Sequence, residues 1–268
     1  MASLAAALLD LRELDRLALQ DSPVHRLDAR AKALATAAFL GVLASYGRLE
    51  VSALLPCALY PVVLASLGGV PAGLVARKVL LGLPFLLVLG AFLPLLERAP
   101  ALELGGRTVS AGWLAFLSLL LRGTLAVAAS TVLVAATGLG DLGAALHRLG
   151  LPRAFVQQLL LLHRYLFLLG EETERRLAAR ALRAHGRPLR WAEFPAFAGP
   201  LLLRSWERAE RVHAALLARG FRGTLPARTS PRFGRREWLF LAGWLAYFAA
   251  CRALPLARLA GGLFGSGA

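Results

Sequence analysis

Cysteine is nearly absent. Cys57 and Cys251 are the two in 268 residues, both inside apolar runs and far apart, without the close spacing of a metal cluster or a small disulfide framework; they read as packing residues. Charge is scarce too, at 18% against 57% hydrophobic residues, and the mean hydropathy is +0.60, which excludes an ordinary soluble domain and puts the chain in the membrane class. Negative charge is the scarcest commodity: 16 acidic residues face 31 basic ones, leaving +15. The five histidines, His25, His147, His163, His185 and His213, are scattered, with no His-x-x-x-His or His-Cys pair, so no metal site is expected. No Gly-x-x-x-x-Gly-Lys-Ser/Thr loop occurs to cradle phosphates. Nor does a carboxylate pair fall inside an apolar run, where an ion pathway would need one. The basic residues alternate with glutamates and apolar stripes instead of interleaving with stacking aromatics, which argues against nucleic acid. An integral membrane enzyme acting on a lipid is the alternative that composition leaves open, but it needs an interfacial cluster of Asp, Glu, His or Ser that is not found.

What is present is a series of long apolar runs. Crossing a bilayer as a helix takes about 20 apolar residues, and five stretches are read as spans, the first two shorter than ideal: about 33–47, 51–67, 79–96, 109–137 and 237–255. Pro56 and Pro61 should bend the second, which neighbouring helices tolerate in a membrane. Arg122 is the odd charge in the fourth; it either faces the bundle interior or divides that run into interfacial and spanning parts. The opening "MASLAAALLDLRELDRLALQDSP" carries acidic residues and no small-residue cleavage site, so it reads as an amphipathic surface helix rather than a secretory signal. The expected fold is therefore all-α and polytopic, with a membrane domain over 1–137, a basic helical domain over 138–236, and a last span and tail over 237–268.

The basic segment from 138 to 236 holds 18 arginines against seven acidic residues, and such an excess belongs on the cytoplasmic side. Arg30, Lys32, Arg77 and Lys78 fall on that same side if the spans alternate, with the charge-balanced loops around Arg48/Glu50 and Glu97/Arg98/Glu103/Arg107 opposite. Pro152 can open a helix at no hydrogen-bond cost, and the pattern continues to His185, where Gly186 and Pro188 signal a stop. Glu171 and Arg175, and Glu172 and Arg176, are i,i+4 pairs that support a helix in water. A second helix runs from about Pro200 to Arg219. It has Arg204, Arg208 and Arg211 on one face and Leu202, Trp206, Ala209, His213 and Leu216 on another. Gly220 stands where a left-handed cap residue is expected. The two helix ends read "AARALRAHG" and "AALLARGFRG": each is alanine-rich and closes on arginine and glycine.

Three segments together resemble the transmembrane T component of energy-coupling-factor transporters, the CbiQ-like subunit of cobalt or nickel importers: "DRLALQDSPVHRLDARAKAL" (15–34), "ERRLAARALRAHG" (174–186) and, most specifically, "LLLRSWERAERVHAALLARGFRG" (201–223). The resemblance covers almost the whole length. It implies a multi-pass protein of the inner (cell) membrane whose cytoplasmic coupling helices end in Ala-Arg-Gly-type signatures docked into two CbiO-like ATPase subunits. It further implies a membrane domain that grips a CbiM-like substrate-binding S component, with a small accessory membrane subunit. Ala218, Arg219 and Gly220 match the second signature as they stand. For the first, Ala179 and Arg180 keep the alanine and arginine but Ala181 replaces the glycine, and Arg183 is the alternative, with Gly186 out of register. On this resemblance the chain has no catalytic residue, metal ligand or cofactor of its own; ATP and magnesium belong to the partner ATPases.

Overall fold

The computed structural model describes residues 2–96, 100–104, 107–185, 187, 191–221 and 233–253. Asp28 starts the first apolar helix by accepting a hydrogen bond from the Arg30 amide at 2.8 Å, satisfying one of the free donors at a helix N-terminus. That helix, α2 (Ala29–Ser45), follows an N-terminal α1 (Ala2–Leu17). The second apolar run breaks where its prolines stand: α3 (Val51–Leu54), a 3-10 turn opening on Pro56, then α4 (Leu59–Gly68). Gly69, at φ +64°, ends α4 in the left-handed region. α5 (Ala72–Gly90) starts earlier than its apolar run and takes in Arg77 and Lys78; a short α6 (Leu93–Leu96) follows. Two strands, β1 (Pro100–Leu104) and β2 (Arg107–Ser110), pair antiparallel as a hairpin ahead of α7 (Ala111–Thr137). This hairpin is a small exception to an otherwise all-α polytopic protein. The order closes with α8 (Leu139–Arg148), α9 (Arg153–Arg183), α10 (Phe194–Ala218) and α11 (Arg235–Ala253).

Among the described residues three stretches are long and apolar enough to cross a membrane: Val51–Gly68, Ala72–Gly90 and Ala111–Thr137. The other two expected spans are helices that fall short of this measure. α2 has 17 residues, and α11 carries Arg235, Arg236, Glu237 and Arg252 within its 19.

The chain forms two compact units. A membrane unit comprises Arg16–Gly138 and Ser230–Ala268, and a helix-pair unit comprises Met1–Asp15 and Leu139–Thr229. In the membrane unit α7 is central, packed by α2, α3, α4, α5 and α6. Glycines bring α5 close: a Cβ on Gly123 would lie 2.5 Å from the Leu86 side chain, and one on Gly90 would lie 2.6 Å from the Phe116 ring. The outer face of α5 carries exposed Leu80, Leu81, Phe85, Val88 and Leu89, a surface suited to lipid. α11 packs on α2 through an aromatic cluster in which Phe39 stacks on Tyr60 at 4.7 Å, and Trp244 and Phe248 meet Tyr60 edge-on at 4.8 and 5.3 Å. Tyr60 Oη lies 2.7 Å from Thr36 Oγ1, which itself donates to the Lys32 carbonyl. Arg122 donates to the carbonyl of Gly47, so this cation bonds the loop between α2 and α3.

Candidate functional site

α9 is 31 residues long, about 46 Å at the helical rise. Its last two turns hold Ala179, Arg180 and Arg183. Ala184 caps the helix, its amide donating to the Arg180 carbonyl at 2.8 Å, and His185 follows with φ +51°. The left-handed residue is thus His185, ahead of the glycine; histidine is among the non-glycine types that take this conformation more readily. Gly186 and Pro188 lie outside the described residues. The Arg180 guanidinium turns back into its own unit. It donates to the Arg187 carbonyl at 3.1 Å and pairs with Glu193 just ahead of α10, leaving its side chain 22% exposed. Arg183 is exposed and has no side-chain partner among the described residues.

α10 begins at Phe194, earlier than expected, with Pro195 in its first turn and Pro200 inside it. Its far end is a complete Schellman cap. Arg219 is the cap residue, Gly220 has φ +78°, the Gly220 amide donates to the Leu217 carbonyl and the Phe221 amide to the Leu216 carbonyl, both at 2.9 Å. Leu216 and Phe221 line the same groove, the apolar contact that accompanies such caps. Ala218, Arg219 and Gly220 are exposed, and the Arg219 side chain has no partner among the described residues. Gly220 is thus the left-handed residue that the sequence placed after the helix end.

Between α9 and α10 runs an apolar groove of about 760 Å³, whose walls include Phe155, Leu162 and Tyr165 of α9 and Val212 and Leu216 of α10. Phe194 and Pro195 of α10 line a second hollow with Leu169 and Thr173 of α9. The helices are therefore antiparallel, and the α10 tip lies beside the start of α9. Along α9 that puts the two arginine-bearing ends roughly 40 Å apart. Glu172 sits at the middle of the pair, 3.1 Å from Arg176 and 3.8 Å from both Arg204 and Arg208. Two members of the α10 basic stripe thus turn toward α9, a role invisible in the stripe's own periodicity.

Residues 20–231 match the family model described as CbiQ, cobalt transport protein. The chain belongs to the CbiQ family. Comparison with curated proteins finds no match. The CbiQ match includes both helix tips and the segment that leads into α2. CbiQ proteins are transport components rather than catalysts, so this chain is a membrane component of a cobalt transporter.

The histidines of this CbiQ protein go to separate places. His25 Nδ1 is 2.7 Å from Ser22 Oγ, His147 Nδ1 is 3.0 Å from the Leu151 carbonyl, His163 lies 3.2 Å from Asp15 of α1, and His213 lines the groove. Among the described residues no three His, Cys, Asp or Glu side chains gather where a metal ion could be held. α1 lies along α9 through the Asp15–His163 contact, an Arg12–Glu171 pair, and Arg12 over the Phe167 ring at 5.8 Å. Sequence reading missed this contact, because the pairing residues are about 150 positions apart and belong to no local period.

Proposed function

We propose that this CbiQ-family chain is the T subunit of an energy-coupling-factor importer, carrying the motion of two ATPase subunits to a substrate-binding S component that handles cobalt or nickel. The observation that carries the proposal is the pair of capped helix ends, far apart on one antiparallel helix pair, each presenting an exposed arginine. A left-handed residue stops each helix, so the arginine projects beyond it. The forked guanidinium keeps its charge when covered and bonds carboxylates and carbonyls together. A separation of tens of ångströms suits one tip to each of two ATPases. At the second tip Arg219 is the plug. At the first, Arg183 is the projecting cation, while Arg180, engaged with Glu193 and Arg187, braces the turn that presents it. ATP and magnesium are used by the ATPases, and this chain binds no cofactor. The helix-pair unit is cytoplasmic at the inner membrane, a reading supported by the arginine excess.

The test is purification of tagged wild type, Arg180→Ala/Arg219→Ala and Arg183→Ala/Arg219→Ala from native membranes. Bound chains are identified by mass spectrometry, and ATP hydrolysis is assayed. ATPases should accompany the wild type and be lost from both doubles, since truncating one member of a buried, hydrogen-bonded charge pair leaves the other unpaired and costs about 2–5 kcal/mol. Absence of any ATPase with the wild type, or full retention by both doubles, overturns the proposal.

A further inference from the structure

The chain has two cysteines, and folding brings both to one place inside the membrane unit. Both are free thiols, Cys57 0% and Cys251 6% exposed. They come together where α11 packs on the 3-10 turn Pro56–Ala58. Two contacts bracket Cys251. One turn before it, Tyr247 donates from its Oη to the Pro56 carbonyl at 2.8 Å. Tyr247 and Cys251 stand at i and i+4 on one face of α11, so that face is turned toward the residue preceding Cys57. One residue after Cys251, Arg252 donates to the Ser45 carbonyl at 3.2 Å and lies 5.1 Å from the Tyr46 ring. Tyr46 closes the figure from the other side, for the Cys57 thiol is directed at its Oη, 3.9 Å away. The other acceptor near that thiol is the Ala53 carbonyl at 4.0 Å. Both are weak sulfur contacts that do not hold the thiol fast. The two sulfurs and the two phenols act electrostatically on one another. Among the described residues no third His, Cys, Asp or Glu joins the pair as a metal site would need. A disulfide asks that the two Cα atoms come within about 7 Å, the reach of two elements in direct contact.

We propose that Cys57 and Cys251 form a paired-thiol modification site, which a small disulfide-bearing oxidant converts to an intrachain disulfide. One cysteine, as thiolate, attacks the oxidant's S–S bond and releases its first half as a thiol. The other cysteine then attacks the mixed disulfide and releases the second half. The protein gives up two electrons and two protons and gains one S–S bond, while the oxidant's S–S bond is reduced to two thiols. The product fastens α11 to the turn that breaks the second apolar run, so the last helix of the membrane unit can no longer shift against α3 and α4. This junction lies at the end of the unit marked by the loop between α2 and α3, because Arg252 also pairs with Glu50 of that loop at 3.4 Å. On the orientation argued from the arginine excess, that end faces away from the cytoplasm, the side on which disulfides form and persist. The pairing of the thiols depends neither on that orientation nor on the coupling reading.

The experiment treats the purified, folded full chain in detergent with dithiodipyridine, a small apolar disulfide, and reads the intact mass, the thiopyridone released and an unreduced peptide map. Pairing predicts that the protein loses two hydrogens and keeps no adduct. One reagent molecule should then release two thiopyridones per chain, and the map should show a peptide cross-linked through Cys57 and Cys251. Dithiothreitol should restore the starting mass. Cys57→Ala should instead carry a single pyridyl adduct at Cys251, since the resolving thiol is gone. Wild type that keeps a pyridyl adduct on either cysteine, forms a disulfide-linked dimer, or does not react overturns the proposal. The decisive arm uses the wild-type chain, so it stands whether or not the alanine variant folds.

Discussion

His25 shows how one side chain can tie stability to pH. Its ring is partly buried, its Nε2 has no hydrogen-bond partner among the described residues, and Lys32 stands near. Burial, and then the neighbouring ammonium group, hold its pKa below the usual 6.5; the carbonyls of Leu17 and Ala135 and the Asp21 carboxylate oppose the shift and lose. A histidine whose folded pKa is depressed leaves the unfolded chain holding more protons in the interval between the two values. Stability is accordingly undiminished above the unfolded pKa, falls as pH drops through it, and levels off below the folded value. Wild type should lose more thermal stability in detergent between about pH 7.5 and about pH 5 than His25→Gln does, the other four histidines being common to both. Equal losses would remove His25 from the account. The sequence presented this residue as one of five scattered histidines; only the fold put a lysine beside it.

At the scale of elements, α5 and α7 join without the hydrophobic driving force that pairs helices in water, so close approach of small residues decides how well they pack. Gly90 lies against the face of α7 that carries Phe116 and Leu119, and Gly123 lies under Leu86. An added side chain at Gly90 meets a rigid ring, whereas one at Gly123 meets the flexible end of a leucine. Gly90→Val should lower stability by about 1–3 kcal/mol, the usual cost of overpacking, and Gly123→Ala should lower it less, both read from thermal unfolding in detergent. The reverse order would mean that α5 and α7 part easily and that Leu86, not Phe116, sets their spacing. The extent of α5 was only partly legible, since the apolar count begins after Lys78 while the helix begins at Ala72. Backbone hydrogen bonding does not stop where hydropathy does.

For the whole molecule, orientation across the bilayer follows from charge. The arginine excess of the helix-pair unit should face the cytoplasm, and the loop around Leu49, 48% exposed, should face the other side. Single cysteines at Leu49 and Leu182 in intact cells check this with a membrane-impermeant maleimide. Labelling at Leu49 with protection at Leu182 is expected, and the opposite pattern would place the arginine tips out of reach of any cytoplasmic ATPase.

Some of this protein was determined by its residue order alone. The apolar runs require membrane helices, Gly220 marks a helix end, and Glu171 and Glu172 meet Arg175 and Arg176 one turn on, because capping and i,i+4 pairing act within a few residues. Tertiary structure decided the rest. It drew Arg180 onto Glu193, shared Glu172 between two helices, laid α1 along α9, and set Arg30 over the Phe233 ring. These contacts join residues from 13 to more than 200 positions apart, and which distant groups meet is set by how the helices pack, a property that no local period encodes.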